Sequence, residues 1–378
     1  MRLNASKIAF NDLLNRNKLL SKFITSLPLV VLYIIRRINK IFYYTSDNIM
    51  IVSLHKLGDS IFAIPAVKLI QEHFNCKIFI CCYPEAVPIY SLAFNNINYC
   101  VIEKKEFYFS GRIANRNARK KIKNLKSNLV IDFTGNMTSA SLIFNLRAQK
   151  IIGSNGQFFK SIYDEYVTFR QTPQLTDIYL DAIECIIKIS NRNDLIKQKR
   201  SINPDRRIMI QPFAGWKEKE WPFKNYVELV EKINYNFPVS FIFQNGQVAH
   251  DIIEDLENSD LDVIQTDSVE ELIKYIKDCS ILIGNDSGPV NIANFLGKPT
   301  LTIYGATNPD YTATYTDHQI YIQKTLNCSA KKNEKYCMVG VGTYNCPGIQ
   351  CMNFLSVYDV YERLAPLLNK YCRKVSKK

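Results

Sequence analysis

The sequence predicts an α/β protein made of two Rossmann-like halves. Three observations carry that reading. Short apolar runs of strand length alternate with helix-length amphipathic segments along most of the chain. With 378 residues, 47% of them hydrophobic and 22% charged, the chain can fill two ordinary domain cores. Each half also holds a strand running into a small-residue turn that opens a helix, the plan of a phosphate or substrate loop.

Residues 1–47 precede the first regular strand. Phe23–Ile35 is apolar but carries Pro28, falls short of the ~20 residues of a spanning helix and has no small-residue cleavage site after it. Arg36, Arg37 and Lys40 follow at once, then Phe42, Tyr43 and Tyr44. Two readings stand: a helix lying in the interface of an anionic leaflet, or one packed on the protein's own core.

The first strand is Ile49–Leu54, and His55-Lys56-Leu57-Gly58-Asp59-Ser60 turns it into a helix buried through Ile61, Ile64, Val67, Leu69 and Ile70. Gly58 permits the tight turn. Asp59 stands at the helix N-terminus, where an aspartate can be a cap or a functional carboxylate. Lys77–Cys82 and Tyr99–Ile102 are further strands. Residues 104–126 then carry nine basic side chains, among them Lys104, Lys105, Arg112, Arg116, Arg119 and Lys120, against one acid, Glu106. Such a run is a solvated helix face or a docking surface for a multiply anionic partner. Val130–Phe133 ends in Thr134-Gly135-Asn136, Arg147 adds positive charge, and Ile151–Gly153 is another strand. Residues 191–206 are polar and poor in apolar residues, which makes them the linker candidate.

Ile208–Gln211 restarts the rhythm. Lys219-Glu220-Trp221-Pro222 precedes a helix of Tyr226, Leu229, Val230 and Ile233, and Val239–Phe243 and Val263–Gln265 continue the sheet. Ile281–Ile283 ends at Gly284. Asn285, Asp286 and Ser287 then offer capping side chains, Gly288 lets the backbone approach a ligand, and Pro289 suits the first helical turn. Gly297 closes that helix, Leu301–Tyr304 is the next strand, and Val357–Leu368 is an amphipathic terminal helix.

The 48 basic and 35 acidic side chains give a net charge of +13, which points to acidic partners: nucleic acid, an anionic membrane face or a phosphorylated substrate. No nucleic-acid module is recognisable. Eleven cysteines without a secretion signal read as a reduced, cytosolic protein with inert thiols. Cys328, Cys337, Cys346 and Cys351 cluster, but intervals of eight, eight and four residues lack the paired knuckles of common zinc sites.

Several of these segments, in order, resemble the heptosyltransferase family (glycosyltransferase family nine). LGDSIFAIPAVKLI is similar to its opening motif, and VIDFTGNMTSASLIFNLRAQKIIG to a further segment. Lys219 stands two residues before Trp221-Pro222, as the family's phosphate-binding Lys does. Asp286, Ser287, Gly288, Gly297, Pro299, Gly305 and Thr307 match the nucleotide-sugar segment, in which Asn291 takes the place of a His. Cys346-Pro347 and Cys351 resemble the family's tail.

The resemblance spans about residues 48–368. It implies a GT-B architecture, two Rossmann-like domains facing across a cleft. An acceptor domain would cover 48–190 and a nucleotide-sugar domain 207–355, with a C-terminal helix and basic tail at 356–378. The implied reaction is inverting, metal-independent transfer of heptose from ADP-heptose to the lipopolysaccharide inner core. It needs no cofactor and takes place at the cytoplasmic face of the inner membrane. In that scheme Asp59 is the catalytic base. Lys219 and the N–H groups around Ser287 and Gly288 meet the diphosphate, Asp286 bonds sugar hydroxyls, and Asn291 faces the donor. Lys104, Lys105, Arg112, Arg116, Arg119, Lys120 and Arg147 would receive the anionic acceptor. Two alternatives stay open: transfer of another nucleotide-activated sugar, given Asn291, or a non-catalytic basic protein at a membrane surface.

Overall fold

A computed structural model describes residues 18–374 except 110, 155–156, 169, 171–173, 197–199, 315, 338–345 and 347. The first domain holds β1 (Ile49–Ser53), β2 (Ile78–Cys82), β3 (Asn98–Val101), a two-stranded hairpin of β4 (Phe107–Tyr108) and β5 (Ile113–Ala114), β6 (Leu129–Asp132), β7 (Lys150–Ser154) and β8 (Glu165–Val167). The second holds β9 (Ile208–Gln211), β10 (Val239–Gln244), β11 (Asp262–Thr266), β12 (Ile281–Asn285), β13 (Thr300–Tyr304) and β14 (Gln319–Gln323).

Each domain has one six-stranded parallel sheet, ordered β3-β2-β1-β6-β7-β8 and β11-β10-β9-β12-β13-β14. The central strands β1 and β12 are buried at every residue, which is why IMIVS and ILIGN read as continuous apolar runs and do not alternate. The strand order reverses beside β1 and beside β9, so each sheet opens a crevice at the carboxyl ends of those strands. The turns after β1, β9 and β12 stand there.

The structure departs from the sequence reading in four places. Edge strands β8 and β14 were not foreseen: β8 is three residues with one acid, and in β14 the short run Ile320–Ile322 stands between two glutamines. The basic run does not form one helix: it divides into a turn, the β4–β5 hairpin and the helix Arg116–Asn124. The expected linker is tied down at both ends. Arg192 pairs with Asp181 at 2.7 Å and Glu184 at 2.6 Å in the first domain, and Ser201 N–H donates to the Gly297 carbonyl at 2.8 Å in the second. The helix Val357–Tyr371 buries Val360, Leu364, Leu367 and Leu368 in the second domain's core, so that domain does not stop at residue 355.

The domains meet through two helices. Ile61 and Ile64 of Leu57–His73 share one apolar cluster with Val290 and Ala293 of Gly288–Phe295 and with Ile273 and Ile276. At the head of this contact the chains touch where glycines stand. A Cβ on Gly58 would lie 3.1 Å from Asn291 Nδ2, and one on Gly288 would lie 3.0 Å from Leu57 Cβ. Neither site has room for even a methyl group without a neighbour giving way.

Ahead of β1 the helix Lys18–Ile41 packs on the first domain, held by Arg36, which is 2% exposed. Its guanidinium donates to the Ala148 carbonyl at 2.8 Å and pairs with Asp164, which also takes Lys40 at 3.0 Å. Among the described residues no helix is long and apolar enough to cross a membrane.

One buried side chain joins three segments of the second domain. Asn285, at the end of β12, accepts from Trp221 N–H at 3.0 Å and the Tyr226 hydroxyl at 2.9 Å, and donates to the Pro212 carbonyl at 2.6 Å. Asn285→Ala strands all three groups, and we expect a loss of about 2–4 kcal/mol of unfolding free energy. Urea denaturation of the two proteins measures it; a midpoint unchanged by the substitution contradicts this account.

Candidate active site

Asp59 is the third residue of the helix Leu57–His73 and lies half-buried beside the interdomain contact. Lys56 holds the N-cap position, so Asp59 is not the cap that its place in the sequence allowed. The turn that carries it is fixed from the neighbouring strand. Leu54 N–H donates to Thr134 Oγ1 at 2.8 Å, and the turn after β6 is folded by Asp132, which accepts from the Thr134 and Gly135 N–H groups at 2.9 and 3.1 Å.

Two aromatic side chains sit within the reach of the Asp59 charge. His55 stacks edge-on against Tyr179 with ring centroids 5.5 Å apart. Burial lowers the His55 pKa, and the Asp59 charge and a hydrogen bond at the Phe133 backbone offset only part of that, so the ring is neutral at pH 7. Its Nε2 is buried with no hydrogen-bond partner among the described residues. Burial and then Asp59 raise the Tyr179 hydroxyl well above its ordinary value. The sequence reading passed over His55, although a His three residues before the Gly-Asp pair was the signal available.

Across the contact, the helix Gly288–Phe295 begins without a side-chain cap: Ser287 occupies the N-cap position but makes no capping hydrogen bond. The three expected capping residues are engaged elsewhere. Asn285 serves the Trp221 segment, Ser287 Oγ donates to Gln211 Oε1 at 3.4 Å, and Asp286 binds Lys219. The first intrahelical bond runs from Asn291 N–H to the Ser287 carbonyl, leaving the N–H groups of the first turn directed outward. An uncapped N-terminus at the carboxyl edge of a parallel sheet is an anion site.

Lys219 Nζ lies 2.7 Å from Asp286 Oδ2, with the two side chains 15% and 4% exposed. Asp286 also accepts from Thr307 Oγ1 at 2.8 Å and Thr312 Oγ1 at 3.2 Å. Burial opposes its ionisation, but the Lys219 charge and these hydrogen bonds outweigh it and hold the pKa below the ordinary aspartate value. Asp286 is therefore already well supplied with partners, Lys219 among them. Trp216 flanks the pair, with Lys219 Nζ 5.8 Å from its ring centroid and Tyr336 edge-on at 5.6 Å. Gln211 and Thr312 were not foreseen, since neither carries a local pattern. Asn291 is 7% exposed and turns toward Gly58, so it lies in the domain contact itself.

The basic acceptor group divides. Lys104 pairs with Glu85 at 2.7 Å and Lys105 with Glu103 at 2.6 Å, so nearby acids neutralise both. Arg112, Arg116, Arg119 and Lys120 make no ion pair among the described residues, and the segment that carries them follows the carboxyl end of β3. Arg147 is elsewhere. It precedes β7, at the amino end of the sheet, where its carbonyl accepts from Tyr44 N–H at 3.0 Å and its guanidinium lies 5.9 Å from the Phe42 ring. A parallel sheet presents its ligands at the other edge, which removes Arg147 from the acceptor group.

Cys328, Cys337, Cys346 and Cys351 line one cavity of about 220 Å³ together with Glu218 and Gly305. All eleven cysteines are free thiols, and burial with the neighbouring thiols pushes Cys351 up to about 11. Among the described residues no group of His, Cys, Asp and Glu is arranged to hold a metal ion; Asn345 and Pro347 of this loop lie outside the described residues.

Residues 116–340 match the family model of glycosyltransferase family 9 (heptosyltransferase). The chain belongs to this family. Lipopolysaccharide heptosyltransferase 1 of Campylobacter coli is 30% identical over 126 residues, 31% of this chain and 36% of that protein. Lipooligosaccharide heptosyltransferase 2 of Haemophilus influenzae is 24% identical over 112 residues, 28% and 32% of the two chains. The matched part thus spans about a third of the length of these curated relatives. The fold extends further. A family 9 glycosyltransferase from Veillonella parvula superposes with a TM-score of 0.63 at 18% identity, covering 86% of this chain and 97% of that one. The E. coli ADP-heptose lps heptosyltransferase II gives 0.63 at 16% identity, covering 85% and 99%. The family 9 chain has the GT-B fold of these neighbours, two Rossmann-like α/β domains.

Lys219→Met tests the pairing at Asp286. In the wild type the depressed Asp286 pKa contributes stability above the ordinary carboxylate range, and this is lost as pH falls through the folded pKa. The variant leaves a buried carboxylate without its cation, which we expect to cost roughly 3–5 kcal/mol near neutral pH. Acidification neutralises that carboxylate, so the gap between the two proteins narrows. Thermal melts across a pH series measure it, and a gap that is constant with pH rules the coupling out.

Proposed function

We propose that this family 9 glycosyltransferase moves heptose from ADP-heptose to the inner core of lipopolysaccharide, with inversion and without a metal ion. The observation that carries the reading is the meeting of two turns. Gly58, next to Asp59, touches Asn291 and the Gly288 turn, so the base and the donor loop converge on one place. The E. coli neighbours are described as ADP-heptose lps heptosyltransferase II and as heptosyltransferase WaaC with ADP, which supports ADP-heptose as the donor.

In this mechanism Asp59 takes the proton of an acceptor hydroxyl, whose oxygen bonds to the anomeric carbon as the bond from that carbon to the diphosphate oxygen breaks. The electron pair leaves with ADP. Lys219 moves from Asp286 onto the diphosphate, and the outward N–H groups of the Gly288 turn meet the same charge. Protein groups thereby do the work for which other transferases use a divalent ion. His55 and Tyr179, both uncharged, lie within reach of the Asp59 charge. Arg112, Arg116, Arg119 and Lys120 receive the anionic acceptor, a lipid carried on the cytoplasmic face of the inner membrane. The second reading, another nucleotide sugar, attaches to Asn291, and a panel of donors separates the two.

Asp59→Asn removes the base and keeps the shape. Turnover should fall by ~10²-fold or more, while calorimetry finds ADP-sugar affinity unchanged. A variant that keeps about a tenth or more of its turnover is incompatible with Asp59 as the base, whose removal costs at least ~10²-fold.

A further inference from the structure

From Val30 to Ile41, the part of the helix whose side chains are described, the amphipathicity runs the wrong way round for a helix in water. Its inward side carries the buried Arg36 with half-buried Asn39 and Lys40 among two half-buried apolar residues, Ile35 and Leu32, the latter packed on the first domain's core. Its outward side carries Val30, Val31, Tyr33, Ile34, Ile38 and Ile41, from 47% to 72% exposed, and the chain runs on into Phe42 and Tyr43 at 59% and 44%. Exposed apolar residues at 30, 34, 38 and 41 recur at helical spacing, so they form one continuous stripe. Half of the large apolar side chains exposed among the described residues stand in this short stretch.

The stripe is held firmly and framed by positive charge. The Arg36 and Lys40 bonds to Asp164, with the Arg36 bond to Ala148, fix the helix to the body of the domain, so the apolar side is not free to turn inward. Between Asp12 and Asp47 there is no acidic residue, against Arg16, Lys18, Lys22, Arg36, Arg37 and Lys40. Arg37 lies 4.9 Å from the Tyr33 ring and Arg147 5.9 Å from Phe42, so cations and aromatic rings occupy the same rim. Lys160, exposed on the turn against which the helix packs, adds another.

We propose that this face seats the protein on an anionic phospholipid bilayer, with the stripe of Val30, Ile34, Ile38 and Ile41 entering the headgroup–acyl boundary and Arg37 and Arg147 meeting lipid phosphates. Apolar side chains on a fixed helix, aromatic rings at the rim and unopposed cations beside them match an interfacial surface in all three respects. The proposal deepens the reading of a lipid-borne acceptor by naming the surface that reaches the membrane, and it is tested without turnover.

The full-length protein is sedimented with vesicles of phosphatidylethanolamine and phosphatidylglycerol and, in parallel, with phosphatidylcholine alone. Binding is expected to the anionic vesicles only and to weaken with salt. Ile34→Glu/Ile38→Glu should lower the bound fraction roughly tenfold or more, and Arg37→Glu should lower it to a lesser degree. Circular dichroism and ADP affinity should stay at wild-type values in both. Wild-type protein that ignores anionic vesicles, or variants that bind them equally well, overturns the proposal. So does a wild-type dimer that the double substitution makes monomeric, since the face then joins two copies of the chain. Because lipid binding is read directly, wild-type protein that fails to bind vesicles yet transfers to a soluble acceptor counts against this surface alone. Intact binding with no transfer counts against the acceptor reading alone.

Discussion

Two turns that lack side chains have to touch, and the rest of the site depends on it. Gly58 belongs to the first domain and Gly288 to the second, and each would press a Cβ against the other domain's turn. Their bareness lets the turn that carries Asp59 lie directly against the open end of the Gly288 helix. The apolar packing of Ile61 and Ile64 against Val290 and Ala293 supplies the attraction, and the glycines set how close it can bring the chemistry. Asn291 gains its meaning here too. Where the family pattern has a His, this chain has a shorter side chain lying directly over Gly58.

The second domain solves a different problem, how to keep a cation ready in a place that water scarcely reaches. Lys219 alone would be costly there, and Asp286 alone would take up a proton. Together, with two threonine hydroxyls on the carboxylate, they are mutually satisfied. On the proposed mechanism an arriving diphosphate competes with Asp286 for Lys219 and also finds the outward N–H groups of the next turn, so the carboxylate holds the cation in position without keeping it permanently.

The parts of the molecule governed by local chemistry were legible in the sequence. Buried parallel strands announce themselves as apolar runs, and the Gly-Asp and Asp-Ser-Gly turns stand where a strand gives way to a helix. What could not be read there depends on residues distant in the chain. Ser287 looked like a helix cap, but β9 supplies Gln211 to take its hydroxyl. Lys104 looked free until the fold brought Glu85 beside it, and Arg147 lay close in sequence to the acceptor segment yet at the opposite edge of the sheet. Edge strands β8 and β14 escaped because they are short and carry polar residues at their ends, Glu165 in one and Gln319 and Gln323 in the other.

The chain has two tryptophans, and the fold gives them opposite surroundings. Trp221 is 1% exposed, donates its indole N–H to the Leu355 carbonyl at 2.9 Å, and is locked against Tyr226. Trp216 is only half-buried and stands over the ammonium of Lys219. Indole emission responds to nearby charge, so the proposed transfer of that ammonium to a bound nucleotide would alter the light from Trp216 and leave that from Trp221 as a constant background. On the proposed mechanism the protein carries its own optical reporter of donor occupancy, with an internal reference five positions further along the chain.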